Sequence, residues 1–243
     1  MKIALIGYGK MGKEIEKVLL DQNAGDEIVL KITGSNLNEL TIANLQKADV
    51  AIEFTQPEAA VDNIKLCLQA GVPVVVGTTA WLGRLPEIEQ ACAESNGTVF
   101  HSPNYSIGVN IFWEVNRRMA QLMNSQPQYA VSMEEIHHTE KKDAPSGTAV
   151  KTAEVMLEEL TAKSGWVLQQ GTDAVPAAML PIIAKREPNV PGTHIVTYTS
   201  SVDFLEFKHE AKSRRGFAEG AVMAARFVIG KKGILGMKDL LAI

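Results

Sequence analysis

The chain has 243 residues, more than one ordinary domain needs and few enough that two domains must both be small. Lys and Arg total 24 against 28 Asp and Glu, a net charge of −4, and 46% of the residues are apolar with 21% charged. That balance excludes a disordered chain and a surface built to coat nucleic acid. Two cysteines, Cys67 and Cys92, exclude a disulfide framework and a Cys-rich zinc site, so no metal is expected and a reducing cytoplasm is the simplest setting. No apolar run approaches the roughly 20 residues of a membrane span. The opening MKIALIGYGKMGKE is broken by glycines and charges too early for a signal peptide, and it reads as a first strand.

In chain order, the apolar run Ile3 to Ile6 leads into GYGKMG and then a helical pattern with Ile15, Val18 and Leu19 on one face. Strands are predicted at 28–32, 49–54, 72–76 and 98–101. A short amphipathic segment is predicted at 40–45, with helices from Pro57 to about Ala70 and over 84–94. Strand and helix alternating through about 100 residues predict a Rossmann-like, doubly wound parallel sheet of the α/β class, with ligands at the strands' carboxyl ends. From Ile107 the rhythm changes. A long helix is predicted to Met123, a strand at 129–137 with Tyr129, Val131, Met133, Glu135 and His137 on one face, and a helix over 146–163. Strands at 180–186, 194–199 and 202–209 complete an inserted α+β mixed-sheet domain. A helix over 217–229, with Ala221, Ala224, Ala225 and Val228 for close packing, returns the chain to the first domain. The expected division is therefore 1–107, completed by 217–243, around an inserted 108–216.

Gly7, Gly9 and Gly12 have the G-x-G-x-x-G spacing between a strand and a helix, the context in which backbone N–H groups and the helix dipole hold a pyrophosphate. The acid that usually follows the second strand is absent. Gly34, Ser35 and Asn36 stand there, so Ser35 or Asn36 either meets a ribose hydroxyl or merely shapes a turn, and a 2′-phosphate is tolerated. Phe54 and Thr55 end the third strand and Gly77, Thr78 and Thr79 the fourth, which puts both sets at the crevice, with Gly77 and Thr79 the better candidates. Lys10 and Lys13 supply local positive charge that the net charge conceals.

The segment EEIHHTEKKDAPSGTA joins a strand end to a helix start. Ser146 or Thr148 can cap that helix, and their hydroxyls with free N–H groups suit a substrate carboxylate equally well. His137 can exchange a proton near neutral pH, and Lys141 can neutralise charge on a reacting anion. Glu134, Glu135 and Glu140 either form a solvated face or orient a histidine. His137 and His138 diverge at a strand end, which argues against zinc.

HHTEKKDAPSGTA closely resembles the signature of the dihydrodipicolinate reductases, also called 4-hydroxy-tetrahydrodipicolinate reductases, of bacterial diaminopimelate and lysine synthesis. GYGKMG, EFTQPE, VVVGTTAW and SPNYSIGVN extend the resemblance in order over nearly the whole chain. It implies a nicotinamide-nucleotide domain, a mixed-sheet domain that binds a small cyclic dicarboxylate, and a homotetramer built from the latter. It implies His137 as general acid, Lys141 as the residue that steadies the developing product, His138 as a pocket neighbour, and Ser146, Gly147 and Thr148 as the carboxylate grip. Gly7, Tyr8, Gly9, Lys10, Met11 and Gly12 correspond to the phosphate turn. Gly77, Thr79, Pro103, Asn104 and Tyr105 correspond to loops on the nicotinamide side. The family commonly has a longer glycine turn and an acid after the second strand, so NADH or NADPH stays open. Another nicotinamide enzyme of a small carboxylate, or a non-catalytic nucleotide sensor, are the rival readings.

Overall fold

A computed structural model describes residues 1–171 and 174–243. The chain divides into two compact units, Met1–Ser106 with Arg215–Ile243, and Ile107–Arg214. The first unit begins with β1 (Lys2–Ile6), α1 (Lys10–Gln22), β2 (Glu27–Ile32), α2 (Ile42–Leu45), β3 (Val50–Glu53), α3 (Pro57–Gln69), β4 (Val74–Val76), α4 (Leu85–Glu94) and β5 (Thr98–His101). The second contains α5 (Ile107–Met123), β6 (Ala130–His137), α6 (Gly147–Leu157), β7 (Gly165–Gln169), β8 (Met179–Arg186), β9 (Thr193–Thr199) and β10 (Phe204–Glu210). The chain then re-enters the first unit with α7 (Arg215–Val228), β11 (Gly233–Leu235) and α8 (Met237–Leu241).

In the first unit the strands run β11-β5-β4-β3-β1-β2, every pair parallel. The doubly wound fold is as expected. Its central strands are largely apolar because helices cover both faces, and β3 and β4 are buried along their whole length. Strand order reverses at β1, which opens a crevice beyond the carboxyl ends of β1, β2 and β3. α7 packs on β3, β4, β5 and α1 through its stripe of buried alanines, Ala218, Ala221, Ala224 and Ala225. Cys67 and Cys92 are free thiols buried in this unit, and burial pushes both pKa values up.

In the second unit β6 lies centrally in the order β10-β9-β6-β8-β7, parallel to β8 and antiparallel to β9. α5 and α6 pack on each other over a core that includes Phe112, Met133, Met156, Ile182 and Tyr198. Trp113 Nε1 donates to Thr152 Oγ1 at 3.0 Å and ties the two helices together. The odd-numbered residues of β6, Val131 to His137, are buried as the alternation predicts.

Two expected bounds are corrected, and one strand was not expected. α6 stops at Leu157 instead of running to 163, because Asn124 at the end of α5 accepts from the Thr161 amide at 3.0 Å and donates to the Glu159 carbonyl, diverting the next turn. β7 pairs with β8, but its residues are all half-buried, so it carries no alternation for a sequence reading to detect. β4 starts at Val74, after a turn in which Gly71 has φ +72° and Pro73 lacks an N–H to donate. The three-residue β11 and the five-residue α8 were too short to be predicted.

Candidate active site

At the switch point a cavity of about 460 Å³ is lined by Gly7, Tyr8 and Gly9, by Thr33 and Gly34 after β2, and by Phe54, Thr55 and Gln56 after β3. That is the size of a small-ligand site. Gly9 is the N-cap of α1 and no side chain caps that helix end. A Cβ on Gly9 would meet nothing within 4 Å, whereas one on Gly12 would lie 2.6 Å from the Gly7 carbonyl oxygen. The turn is therefore closed on its inner side and open on its outer side, which fits the approach of an anionic diphosphate. The Gly7 and Tyr8 amides are engaged with the Ile32 carbonyl at 3.0 and 2.9 Å, leaving the α1 first-turn amides to face an anion. The loop after β2 is organised by Asn36, whose Oδ1 accepts from the Thr33 amide at 2.7 Å and whose Nδ2 donates to the Lys31 carbonyl at 2.9 Å. Asn36 thus shapes the turn, and Ser35 is exposed beside it with its hydroxyl 2.8 Å from Thr33 Oγ1.

In the second unit, β6 ends in a buried cluster of ionisable side chains. Glu135 is 0% exposed, and its Oε2 lies 2.7 Å from His137 Nδ1. Its Oε1 accepts from the Ser146 amide and from Arg186 Nη2, each at 3.2 Å. Burial alone would raise the Glu135 carboxyl, but His137, the Ser146 amide and Arg186 together outweigh it and hold the acid down at about 2. His194 stacks edge-on to His137 at 5.2 Å, and its Nε2 is 3.2 Å from Ser146 Oγ. Burial, with the charge of His137 second, lowers the His194 imidazole to about 3, so it stays neutral. A Cβ on Gly192 would lie 2.9 Å from His137 Nε2, so glycine there leaves the ring's outer nitrogen clear. Glu135, His137 and His194 bring ligand-type atoms within 4.8 Å of one another. The Arg186 guanidinium on the same carboxylate opposes a bound cation, and the cluster suits proton transfer beside an anion.

Both halves of the chain match models of one family: residues 1–105 the model described as dihydrodipicolinate reductase, N-terminus, and residues 108–241 the model described as dihydrodipicolinate reductase, C-terminus. The chain belongs to the dihydrodipicolinate reductase family. A 4-hydroxy-tetrahydrodipicolinate reductase of Christiangramia forsetii is 44% identical, covering 100% of this chain and 98% of the relative. One from Methanoregula boonei is 32% identical over the same shares. Among solved structures, a dipicolinate-bound dihydrodipicolinate reductase from Paenisporosarcina sp. TG-14 superimposes with a TM-score of 0.81 at 23% identity, covering 97% of each chain.

The residues suggested by the family signature fall into distinct settings. Lys141 pairs with Asp143, its Nζ 2.8 Å from both carboxylate oxygens. Ser146 is the N-cap of α6, accepting from the Ala149 amide at 3.2 Å, while Gly147 is exposed and Thr148 and His138 are half-buried. Lys10 is exposed and Met11 half-buried on α1. Gly77 lies against the Phe54 ring, where an added Cβ would fall 2.0 Å from Phe54 Cε1. Thr79 and Pro103 are exposed. Asn104 is buried, accepting from the Ser106 amide at 2.8 Å, and Tyr105 is buried with its hydroxyl donating to the Val76 carbonyl at 2.7 Å. Those last two side chains brace the loops that carry them. Glu134 pairs with Lys185 at 2.5 Å, and Glu140 is exposed. Sequence reasoning missed Arg186 and His194. The signal lay in strand register, where His137 pairs with Arg186 and Glu135 with His194.

Thr78, expected to line the crevice, is buried, and its hydroxyl accepts from the Thr55 amide at 2.7 Å. Next to it sits Glu53, 0% exposed, whose Oε1 accepts from Thr55 Oγ1 and from Asn63 Nδ2 at 3.3 Å. Burial raises this carboxyl against the lowering pull of Thr55, Thr78 and Asn63. A raised acid stabilises the fold in its protonated form. That contribution is complete below the ordinary value of about 4.3 and is lost as pH rises through the folded value. Glu53→Gln, which keeps the acceptor and cannot ionise, should shrink the fall in thermal midpoint between about pH 5 and about pH 8. Parallel melting curves with the same fall in both proteins would refute this.

Proposed function

We propose that the chain reduces dihydrodipicolinate, formed from 4-hydroxy-tetrahydrodipicolinate, to tetrahydrodipicolinate in the diaminopimelate route to lysine, with NADH or NADPH as cofactor. The observation that carries this reading is that Glu135 joins His137 at the end of β6 to the N-terminus of α6, with Lys141 on the loop between them, in a chain whose two halves match a reductase family. When bound, the reduced nicotinamide supplies a hydride to C4 of the cyclic dicarboxylate. His137 delivers the proton to the adjacent carbon, directly or through water, from the nitrogen that Gly192 leaves clear. Lys141 balances charge as the ring is reduced, exchanging its Asp143 partner for the substrate. The Gly147 and Thr148 amides and the Thr148 hydroxyl, with His138 beside them and Ser146 capping the helix, hold a carboxylate at a helix end where the dipole favours anions.

The nucleotide is assigned to Gly7, Tyr8, Gly9, Lys10, Met11 and Gly12 for its diphosphate, Ser35 for the adenosine ribose, and Phe54, Gly77, Thr79, Pro103, Asn104 and Tyr105 for the nicotinamide side. The lack of an acid directly after β2 is compatible with a 2′-phosphate as well as with a hydroxyl. A cytoplasmic homotetramer is part of the same reading. It is supported by the free thiols and by Phe204 and Leu205, which are exposed on edge strand β10. No helix among the described residues is long and apolar enough to cross a membrane.

The test is absorbance at 340 nm with enzymatically generated substrate, run separately with NADH and NADPH. Substrate-dependent oxidation of either nucleotide is expected. Tight nucleotide binding with no turnover would overturn the proposal in favour of a sensor.

A further inference from the structure

The loop between β6 and α6 carries Lys141 and starts at His137, yet the groups that hold it come from elsewhere in the sheet. Glu135 precedes His137 by two positions, so both side chains leave the same face of the strand. Its Oε2 faces His137 Nδ1 at 2.7 Å, and its Oε1 takes the Ser146 amide at 3.2 Å. One carboxylate thus touches the first and last residues of the loop. Arg186, the cross-strand partner of His137 on β8, makes the complementary set of contacts. Its Nη2 donates to Glu135 Oε1 at 3.2 Å and to the Asp143 carbonyl at 2.6 Å, and its Nε donates to the Lys141 carbonyl at 3.2 Å. A planar guanidinium can satisfy three such acceptors at fixed angles, and a lysine ammonium cannot. A fully buried carboxylate is costly unless it is paired, so both contacts are needed to keep Glu135 charged in place.

We propose that Glu135 and Arg186 are positioning residues for the reaction assigned above: Glu135 fixes the His137 ring with Nε2 toward the substrate, and Arg186 clamps the loop that presents Lys141. This rests on the functional reading of the preceding subsection. With Nδ1 2.7 Å from a carboxylate oxygen, the inner nitrogen keeps its proton beside Glu135 when the ring acts as an acid, and the proton to be delivered is the one on the outer nitrogen. The two residues touch neither substrate nor nucleotide in this scheme.

The test is steady-state kinetics of Glu135→Gln, Arg186→Lys, His137→Gln and the double variant E135Q/H137Q, with melting curves alongside. E135Q should lower kcat by about 10- to 100-fold, part of the roughly 100- to 10,000-fold that a general acid supplies, with an increased solvent deuterium isotope effect and an unchanged KM for the nucleotide. The double variant should be no slower than H137Q alone, because Glu135 acts through His137. R186K should raise KM for the dicarboxylate by about tenfold, as Lys141 loses its tether. Wild-type kcat in E135Q, or additive losses in the double variant, would overturn the role of Glu135. An unchanged KM in R186K would overturn that of Arg186. If E135Q does not fold, Glu135→Asp keeps the charge but falls one methylene short of Nδ1. The same loss of kcat is expected there, and normal turnover would overturn the proposal. A wild-type protein without substrate-dependent nucleotide oxidation refutes the functional reading instead.

Discussion

His137→Gln should lower kcat by about 100- to 10,000-fold, the range supplied by a positioned general acid, while the dissociation constant of the nucleotide changes by less than about twofold. The ring is buried, held on one side by Glu135 and flanked by His194. Glutamine fills much of the same space without an exchangeable proton of suitable acidity. His194 cannot substitute for it, because burial keeps that imidazole neutral and Ser146 occupies its Nε2. Lys141→Ala should lower kcat and also raise KM for the dicarboxylate, since it removes a cation from the binding loop and leaves Asp143 without its partner. Rapid-mixing measurement of nucleotide oxidation, with nucleotide binding read separately by fluorescence, separates these effects. Turnover near wild type in both variants would remove His137 and Lys141 from the mechanism.

Gly7→Ala is expected to damage the nucleotide unit severely. Gly7 has φ +95°, where an L side chain is strained by about 1–3 kcal/mol. A Cβ there would also lie 2.0 Å from the Phe54 carbonyl oxygen, a backbone atom that cannot swing aside. The Phe54 amide is held by the Ile6 carbonyl at 2.8 Å, so relief would require prising β1 from β3. A total cost of about 3 kcal/mol or more should lower the thermal midpoint by about 6–12 °C and weaken nucleotide binding at least about tenfold. Gly83→Ala is the control. It has no positive φ and nothing within 4 Å of an added Cβ, so its stability should change by less than about 0.5 kcal/mol. Calorimetry and nucleotide titration of the two variants decide the matter, and equal midpoints would refute the strain argument.

The features legible in the sequence are those whose cause is local. The glycine turn after β1 shows because backbone sterics restrict which residues can stand there, and the buried face of β6 shows because alternation has a period of two. Ser146 as N-cap of α6 follows from hydroxyl chemistry at a helix start. What stayed hidden depends on which strands become neighbours. Arg186 and His194 reach Glu135 and His137 only because β8 and β9 flank β6 in a particular register, and nothing near either residue announces it. The early stop of α6 has the same origin, since Asn124 intervenes from another helix. Glu135 lies between these cases: the sequence leaves open a solvated face or a partner for a histidine, and its burial between His137 and Arg186 excludes the solvated face.

The two buried cysteines keep the thiols of the nucleotide unit quiet toward alkylating reagents. Only a thiolate reacts at a useful rate, and burial on the inner faces of α3 and α4 favours the protonated form of both thiols. Cys67 lies on the buried face of α3 and Cys92 on that of α4, both within one core, so neither meets solvent until those helices lift from the sheet. Iodoacetamide labelling would therefore time the opening of this unit, residue by residue, without any engineered probe.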